Sequence, residues 1–157
     1  GSIFGNIRVT NDGTSSVITI LIDNNSMVLD NGTDGINVNV QGAANATINA
    51  TINANTVNAT GTAGIPLEAI NAFTNPTVGV AKLIRLNITN NTVTGIWARA
   101  LRARALSATG LQFVNFTTDV LTTWNNNGNM GSPVAQFEMG GTIGGTASCP
   151  TPSNPLP

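Results

Sequence analysis

The chain has 157 residues, enough for one domain with a sizeable core. Only 8% of it is charged, against about 25% in ordinary globular domains, and six Lys+Arg against seven Asp+Glu leave a net charge of −1. That balance excludes the basic footprint of a nucleic-acid binder, and no apolar run approaches the roughly 18 residues of a membrane span.

Residues 3–10 place Ile3, Ile7 and Val9 among polar partners and read as the tail of a coil whose beginning is missing. Val17–Ile22 predicts a strand with Ile18, Ile20 and Ile22 on one face and Val17, Thr19 and Leu21 on the other. Asn24-Asn25 makes a corner, Met27 re-enters the core, and Asp30-Asn31-Gly32 turns the chain again. Ile36, Val38 and Val40 then alternate with Asn37 and Asn39. A second coil follows, with Ile48, Ala50 and Ile52 inward, then Val57, a loop over 59–64, and Ile65 and Leu67 inward. A third has Ile84, Leu86 and Ile88, then Val93, then Ile96, Ala98 and Ala100. The fourth begins at 111–116, where Leu111, Phe113, Val114 and Phe116 leave the inward face open. Asp119–Trp124 predicts a helical turn capped by Thr118 or Asp119. A loop at 125–129 leads to a strand over Val134–Met139. The Gly140–Gly145 stretch and the Cys149–Pro157 tail, with its four prolines, are expected not to continue the coils.

Three segments repeat one design: Ile22-Asp23-Asn24-Asn25-Ser26-Met27, Ile52-Asn53-Ala54-Asn55-Thr56-Val57 and Ile88-Thr89-Asn90-Asn91-Thr92-Val93. They start 30 and then 36 residues apart. Unequal periods with conserved strand cores and insertions in loops suit a solenoid of stacked coils. In such a stack each inward residue lies over its equivalent about 4.8 Å away, so equivalent positions hold like residues. Ile22/Ile52/Ile88 and Met27/Val57/Val93 meet that requirement. Asn25, Asn55 and Asn91 also align, as corner residues that tolerate left-handed dihedrals and hydrogen-bond along the ladder. The predicted fold is therefore all-β, a right-handed parallel β-helix of about four to five coils. Coils occupy residues 1–116, an irregular C-terminal cap 117–148, and a Pro-rich tail 149–157.

On these motifs the chain resembles the large bacterial right-handed parallel β-helix repeat proteins of the cell surface, whose coils read like the segment Asn87–Gly95 and the Gly35-Ile36-Asn37-Val38 run. The resemblance covers roughly residues 17–150. It extends to the C-terminal end of such arrays through Asp119-Val120-Leu121, Trp124-Asn125-Asn126-Asn127-Gly128 and the run from Gly144 to Pro152. It implies an extracellular or cell-surface location more than it implies a chemistry.

No catalytic constellation is visible. Glycan-cleaving β-helices need converging carboxylates or a calcium cluster with a basic residue. Here Asp23 has Asn53 and Thr89 as counterparts, and only Glu68 is placed to approach Asp30 and Asp34 from the next coil. Asp30-Asn31-Gly32-Thr33-Asp34-Gly35 offers oxygen ligands but lacks the full spacing of a calcium loop and reads as a plain turn. No metal or cofactor is expected. Cys149 is the single cysteine and reads as a small unreactive thiol. Eight N-x-[ST] sequons, at Asn24, Asn31, Asn45, Asn49, Asn58, Asn87, Asn90 and Asn115, are by-products of an Asn- and Thr-rich repeat. Arg99, Arg102 and Arg104, with Lys82 and Arg85 before them, concentrate positive charge in the third coil. Trp97 is expected to point outward beside Arg99, which makes the pair a possible contact surface for sugar or a partner chain.

The sequence thus points first to an extracellular structural β-solenoid, a fibre subunit or surface-stalk segment that self-associates head to tail or is covered by part of a longer chain. An adhesin or carbohydrate-binding module is the alternative, and a polysaccharide-active enzyme a distant third.

Overall fold

A computed structural model describes residues 7–29, 33–41, 45–60, 68–74, 81–106, 109–131, 137–139 and 141–152. Among the described residues, thirteen strands stack into three parallel sheets. Sheet I holds β1 (Ile7–Asn11), β4 (Ile36–Val40), β7 (Glu68–Thr74), β10 (Arg99–Ala105) and β12 (Phe137–Met139), in that order. Sheet II runs β2 (Ser16–Asp23), β5 (Ala46–Asn53), β8 (Lys82–Thr89), β11 (Thr109–Val114) and β13 (Thr142–Thr146). Sheet III is β3 (Ser26–Leu29), β6 (Thr56–Ala59) and β9 (Thr92–Gly95). Successive coils visit the sheets in the order II, III, I, which makes the molecule a parallel β-solenoid of about four turns.

Alternation of apolar and polar residues decides what faces the lumen. In sheet II, Ile18 pairs with Ile48 and then Ile84 and Leu111; Ile22 pairs with Ile52 and Ile88. Ile48, Ala50, Ile52, Ile84, Leu86 and Leu111 are fully buried, whereas Val17 and Leu21 on the opposite parity are exposed. Register pairing also resolves the fourth coil, since Leu111 and Phe113 lie over Ile84 and Leu86 and point inward.

Sheet I departs from the expected register. The counterparts of Ile36 and Val38 in the second coil are Ile70 and Ala72. The expected residues, Ile65 and Leu67, lie outside the described segments, as do Asp30, Asn31 and Gly32 of the first-coil turn. In the third coil Leu101, Ala103 and Ala105 fill the inward row, not Ile96 and Ala98. The cause is a sharp corner at Gly95, whose φ is +86° and whose α-carbon lies so close to the Ala59 carbonyl that any side chain would collide with it. Ile96 N–H then bonds to Ala59 O, Ala100 and Leu101 are both buried, and the alternation restarts at Leu101. Ile96 is left 58% exposed.

The C-terminal region also differs from expectation. β12 pairs with β10 and β13 with β11, so residues 137–139 and 142–146 extend two sheets of their own chain. The glycines of β13 are tolerated because Ile143 alone supplies its inward contact, over Leu111 in the register. Between β11 and β12 the chain inserts α1 (Val120–Asn126), after which Met130 continues sheet III as a single parallel bridge to Thr92 of β9. Asp119 caps that helix, accepting from the N–H groups of Leu121 and Thr122, and Trp124 is buried beneath it. No helix among the described residues is long and apolar enough to cross a membrane.

Candidate functional site

The corner asparagines are fully spent on structure. Asn25 donates both its N–H (3.0 Å) and its Nδ2 (2.9 Å) to Asn55 Oδ1. Asn55 makes the same pair to Asn91 Oδ1, at 3.0 and 2.9 Å. Asn91 repeats it to Asn129, a fourth rung in the cap that the spacing of the repeat did not reveal. Asn129 ends the run by donating to Ile88 O and Trp124 O. The left-handed residue at each corner is the preceding one, namely Asn24, Ala54 and Asn90, and not the ladder asparagine. The two tasks therefore fall on neighbouring positions.

Trp97 does not point outward. It is buried, and its indole N–H bonds to Thr94 O at 2.9 Å, because the Gly95 corner inverts the expected parity. Arg99 keeps partial exposure but is engaged, with its Nη1 at 2.7 Å from Glu68 Oε1. Trp97 and Arg99 thus do not form an exposed pair. Nor do the five basic residues of the third coil share one patch. Lys82 and Arg85 belong to sheet II and Arg99, Arg102 and Arg104 to sheet I.

The chemistry gathers instead on the outer face of sheet I. Strand parity sends Asn37 and Asn39 of β4, Asn71 and Phe73 of β7, and Arg102 and Arg104 of β10 to that side. The register sets Asn37 beside Asn71 and then Arg102, and Asn39 beside Phe73 and then Arg104. At one margin Asp34 and Glu68 meet. Asp34 Oδ1 accepts from Glu68 N–H (3.2 Å), and its Oδ2 from the amides of Asn37 (2.7 Å) and Asn71 (2.9 Å). Glu68 Oε1 takes Arg99 and Arg102 (3.2 Å for the latter). Burial, followed by the nearby Asp34 carboxyl, pushes the Glu68 carboxyl above its ordinary range, and Arg99 and Arg102 only partly offset this. The acid pair and its two arginines form a closed network.

The rest of this face is not closed. Asn39 Oδ1, Asn71 Oδ1 and Arg104 Nε are buried and have no hydrogen-bond partner. Asn39 is 1% and Asn71 4% exposed. The Arg104 guanidinium lies 5.1 Å from the centroid of the Phe73 ring. Four of the six basic residues of the chain, Arg8, Arg99, Arg102 and Arg104, stand on strands of this one sheet. The sequence placed Glu68 near Asp34, as found, but not Asn39, Asn71 and Arg104 on one face, because that depends on the register of β7 and β10, which follow insertions of different length.

Elsewhere the described residues offer less. An open depression of about 430 Å³ at the starts of β2, β5 and β8 contains one charged group, Lys82, whose Nζ donates to Gln41 O at 3.3 Å. Cys149 folds back onto the outer side of sheet II, its Sγ 3.3 Å from Arg85 O, and burial raises its thiol pKa above the ordinary value. A thiol held protonated in this way is a poor nucleophile. The described residues hold no group of three or more His, Cys, Asp or Glu placed to bind a metal ion.

Comparison with known proteins adds no relative: no family model, no curated protein and no solved structure matches the chain.

Proposed function

We propose that this chain is a structural segment of an extracellular or cell-surface solenoid, built to continue on one side and to stop on the other. The observation that carries the reading is the direction of the corner ladder. Every rung donates toward the next coil, from Asn25 through Asn55 and Asn91 to Asn129. At the far end, Asn129 and α1 close the ladder on main-chain carbonyls. At the near end, β1, β2 and β3 each have a single hydrogen-bonded neighbour, and no described group donates to Asn25 Oδ1. A further coil carrying the same corner asparagine would supply that donor and cover half-buried Ile7, Ile18 and Ile20. The closed end makes a stalk segment a better reading than an endless head-to-tail filament, because extension there requires displacing α1. The resemblance to bacterial surface β-helix arrays, and to their C-terminal ends, supports the same reading. In it the Asp34–Glu68 network is structural and the chain is not an enzyme.

Electron microscopy of the native material tests this directly. Rods that continue past the β1–β2–β3 side are expected, with amides on the outer edge of β2 exchanging slowly only where a further coil is stacked. Compact particles of four turns, with the same β2 amides already protected in the isolated chain, would overturn the proposal.

A further inference from the structure

We propose that the outer face of sheet I, around Asn39, Asn71 and Arg104, is a binding site for a polysaccharide that carries uronate residues. Three unpartnered polar atoms share this face: two amide carbonyl oxygens and the Nε–H of a guanidinium. A buried polar atom without a partner costs stability, so native proteins rarely keep one, and here three occur on two adjacent rows of one sheet. Their chemistry is specific. Two acceptors require a ligand with hydroxyl donors, and a cationic donor requires an anionic or strongly polar acceptor. A hexuronate residue offers both at sugar-ring spacing, with its hydroxyls donating to Asn39 Oδ1 and Asn71 Oδ1 and its carboxylate accepting from Arg104.

Access depends on Arg104. Its Nε has no hydrogen-bond partner and its guanidinium rests on the Phe73 ring. Among the described residues no ion pair holds it, whereas Arg99 and Arg102 are held by Glu68. Sheet I already has a scaffold for the site, because Asn39 Nδ2 is held by Asn37 Oδ1 (2.7 Å) and Asn71 Nδ2 by Asp34, which fixes both amides and leaves their carbonyl oxygens unpartnered.

This site does not depend on the stalk reading: binding is measured on the isolated chain, whereas rod continuation is measured on native material. The experiment is affinity electrophoresis of the full chain through gels containing alginate, hyaluronan, neutral dextran or dextran sulfate. Retardation by at least one of the two uronate polymers is expected, with none by dextran and less by dextran sulfate. Arg104→Gln and Asn39→Leu are each expected to weaken binding about tenfold or more. Asn39→Leu should do so with an unchanged or raised melting temperature, since it removes an unpartnered carbonyl, and a merely structural Asn39 would instead lose stability. Failure to bind either uronate polymer would overturn the proposal. So would equal binding of dextran sulfate, which would mean charge alone, or parent-like binding by both weakening variants.

Discussion

Asn55→Ala probes the feature on which the solenoid depends most. Asn55 is fully buried. Its Oδ1 accepts from Asn25 N–H and Nδ2, and its Nδ2 lies 3.0 Å from Ile22 O, 2.9 Å from Asn53 O and 2.9 Å from Asn91 Oδ1. Some of these partners survive truncation. Asn53 O keeps Asn24 N–H, and Asn91 Oδ1 keeps the Asn55 main-chain N–H. The groups left without their partner are Ile22 O and Asn25 N–H. At about 1–3 kcal/mol for each buried unmet group, the expected loss is about 2–6 kcal/mol. That is a large share of the roughly 5–15 kcal/mol that stabilises a typical domain. Asn25→Ala is the internal control. It removes donors to Asn55 Oδ1 and Asp23 O, but Asn55 Oδ1 retains the Asn25 N–H, so about 0.5–1.5 kcal/mol is expected. Urea unfolding followed by far-ultraviolet circular dichroism measures both, with the denaturant slope checked for constancy. Equal losses at the two positions, or a loss below about 1 kcal/mol at Asn55, would show that the ladder does not carry the stability assigned to it.

Ile52 is fully buried between Ile22 and Ile88 in the register, so Ile52→Ala should cost about 2–5 kcal/mol and Ile52→Asp should prevent folding. An Ile52→Asp protein that melts with the parent would contradict the register. Ala54 adopts a φ of +52° at a corner where the neighbouring coils place asparagine, so Ala54→Asn should raise stability by about 0.5–1 kcal/mol in the same urea titration. No gain there would mean that the left-handed corner is not strained. Glu68 sets the pH dependence. Its folded-state pKa lies above the ordinary 4.5, so the folded chain binds more protons there and stability should fall as pH rises from about that value through the folded pKa. Asp119 acts in the opposite sense and in a lower window: the Thr122 hydroxyl holds its carboxyl below the ordinary 3.8, so its contribution is lost on acidification below that value. Glu68→Gln should flatten the upper slope and leave the lower one. An unchanged upper slope in that variant would remove Glu68 as its source.

Sheets II and III were legible in the sequence because they repeat. Ile22, Ile52 and Ile88 stack as their spacing implies, and Met27, Val57 and Val93 follow at a fixed distance from them. Sheet I was less legible because the chain between sheets III and I varies in length. Leu29 to Ile36 is seven residues, whereas Ala59 to Ile70, the equivalent step, is eleven. A period-two pattern shows that a strand exists but does not fix its start, and Ile65 and Ile96 were the first apolar residues after each corner. The inversion at Trp97 has the same origin, since a glycine corner can restart alternation without any mark in the pattern except the glycine. The C-terminal strands were hidden by composition. Gly144 and Gly145 argue against a strand on propensity alone, yet β13 needs only the inward Ile143 and a neighbour to pair with. Asn129 escaped because the helix ahead of it breaks the repeat that identified the other rungs.

The contrast between the two outer faces explains why a site belongs on sheet I. On sheet II, like or complementary residues stack and satisfy each other. Asn53 donates to Asp23 at 2.7 Å and accepts from Thr89 at 2.8 Å, while Arg85 bridges Asn49 and Gln112. Repetition there consumes polar atoms along the axis, which is what a scaffold requires. On sheet I the rows do not repeat: Asn39, Phe73 and Arg104 follow one another, and so do Asn37, Asn71 and Arg102. An asparagine beside a phenylalanine cannot complete its hydrogen bonds across the ladder, and an arginine on the other side of that ring is left with a π face in place of an acceptor. Non-repetition therefore gathers three of the unpartnered buried atoms on sheet I, where sheet II has one, the Thr51 hydroxyl. The corner ladder keeps every coil in step regardless of what the outer face of sheet I displays. A solenoid of this design can hold its backbone constant while that face varies from coil to coil, and the unpaired atoms of Asn39, Asn71 and Arg104 lie where that freedom has been used.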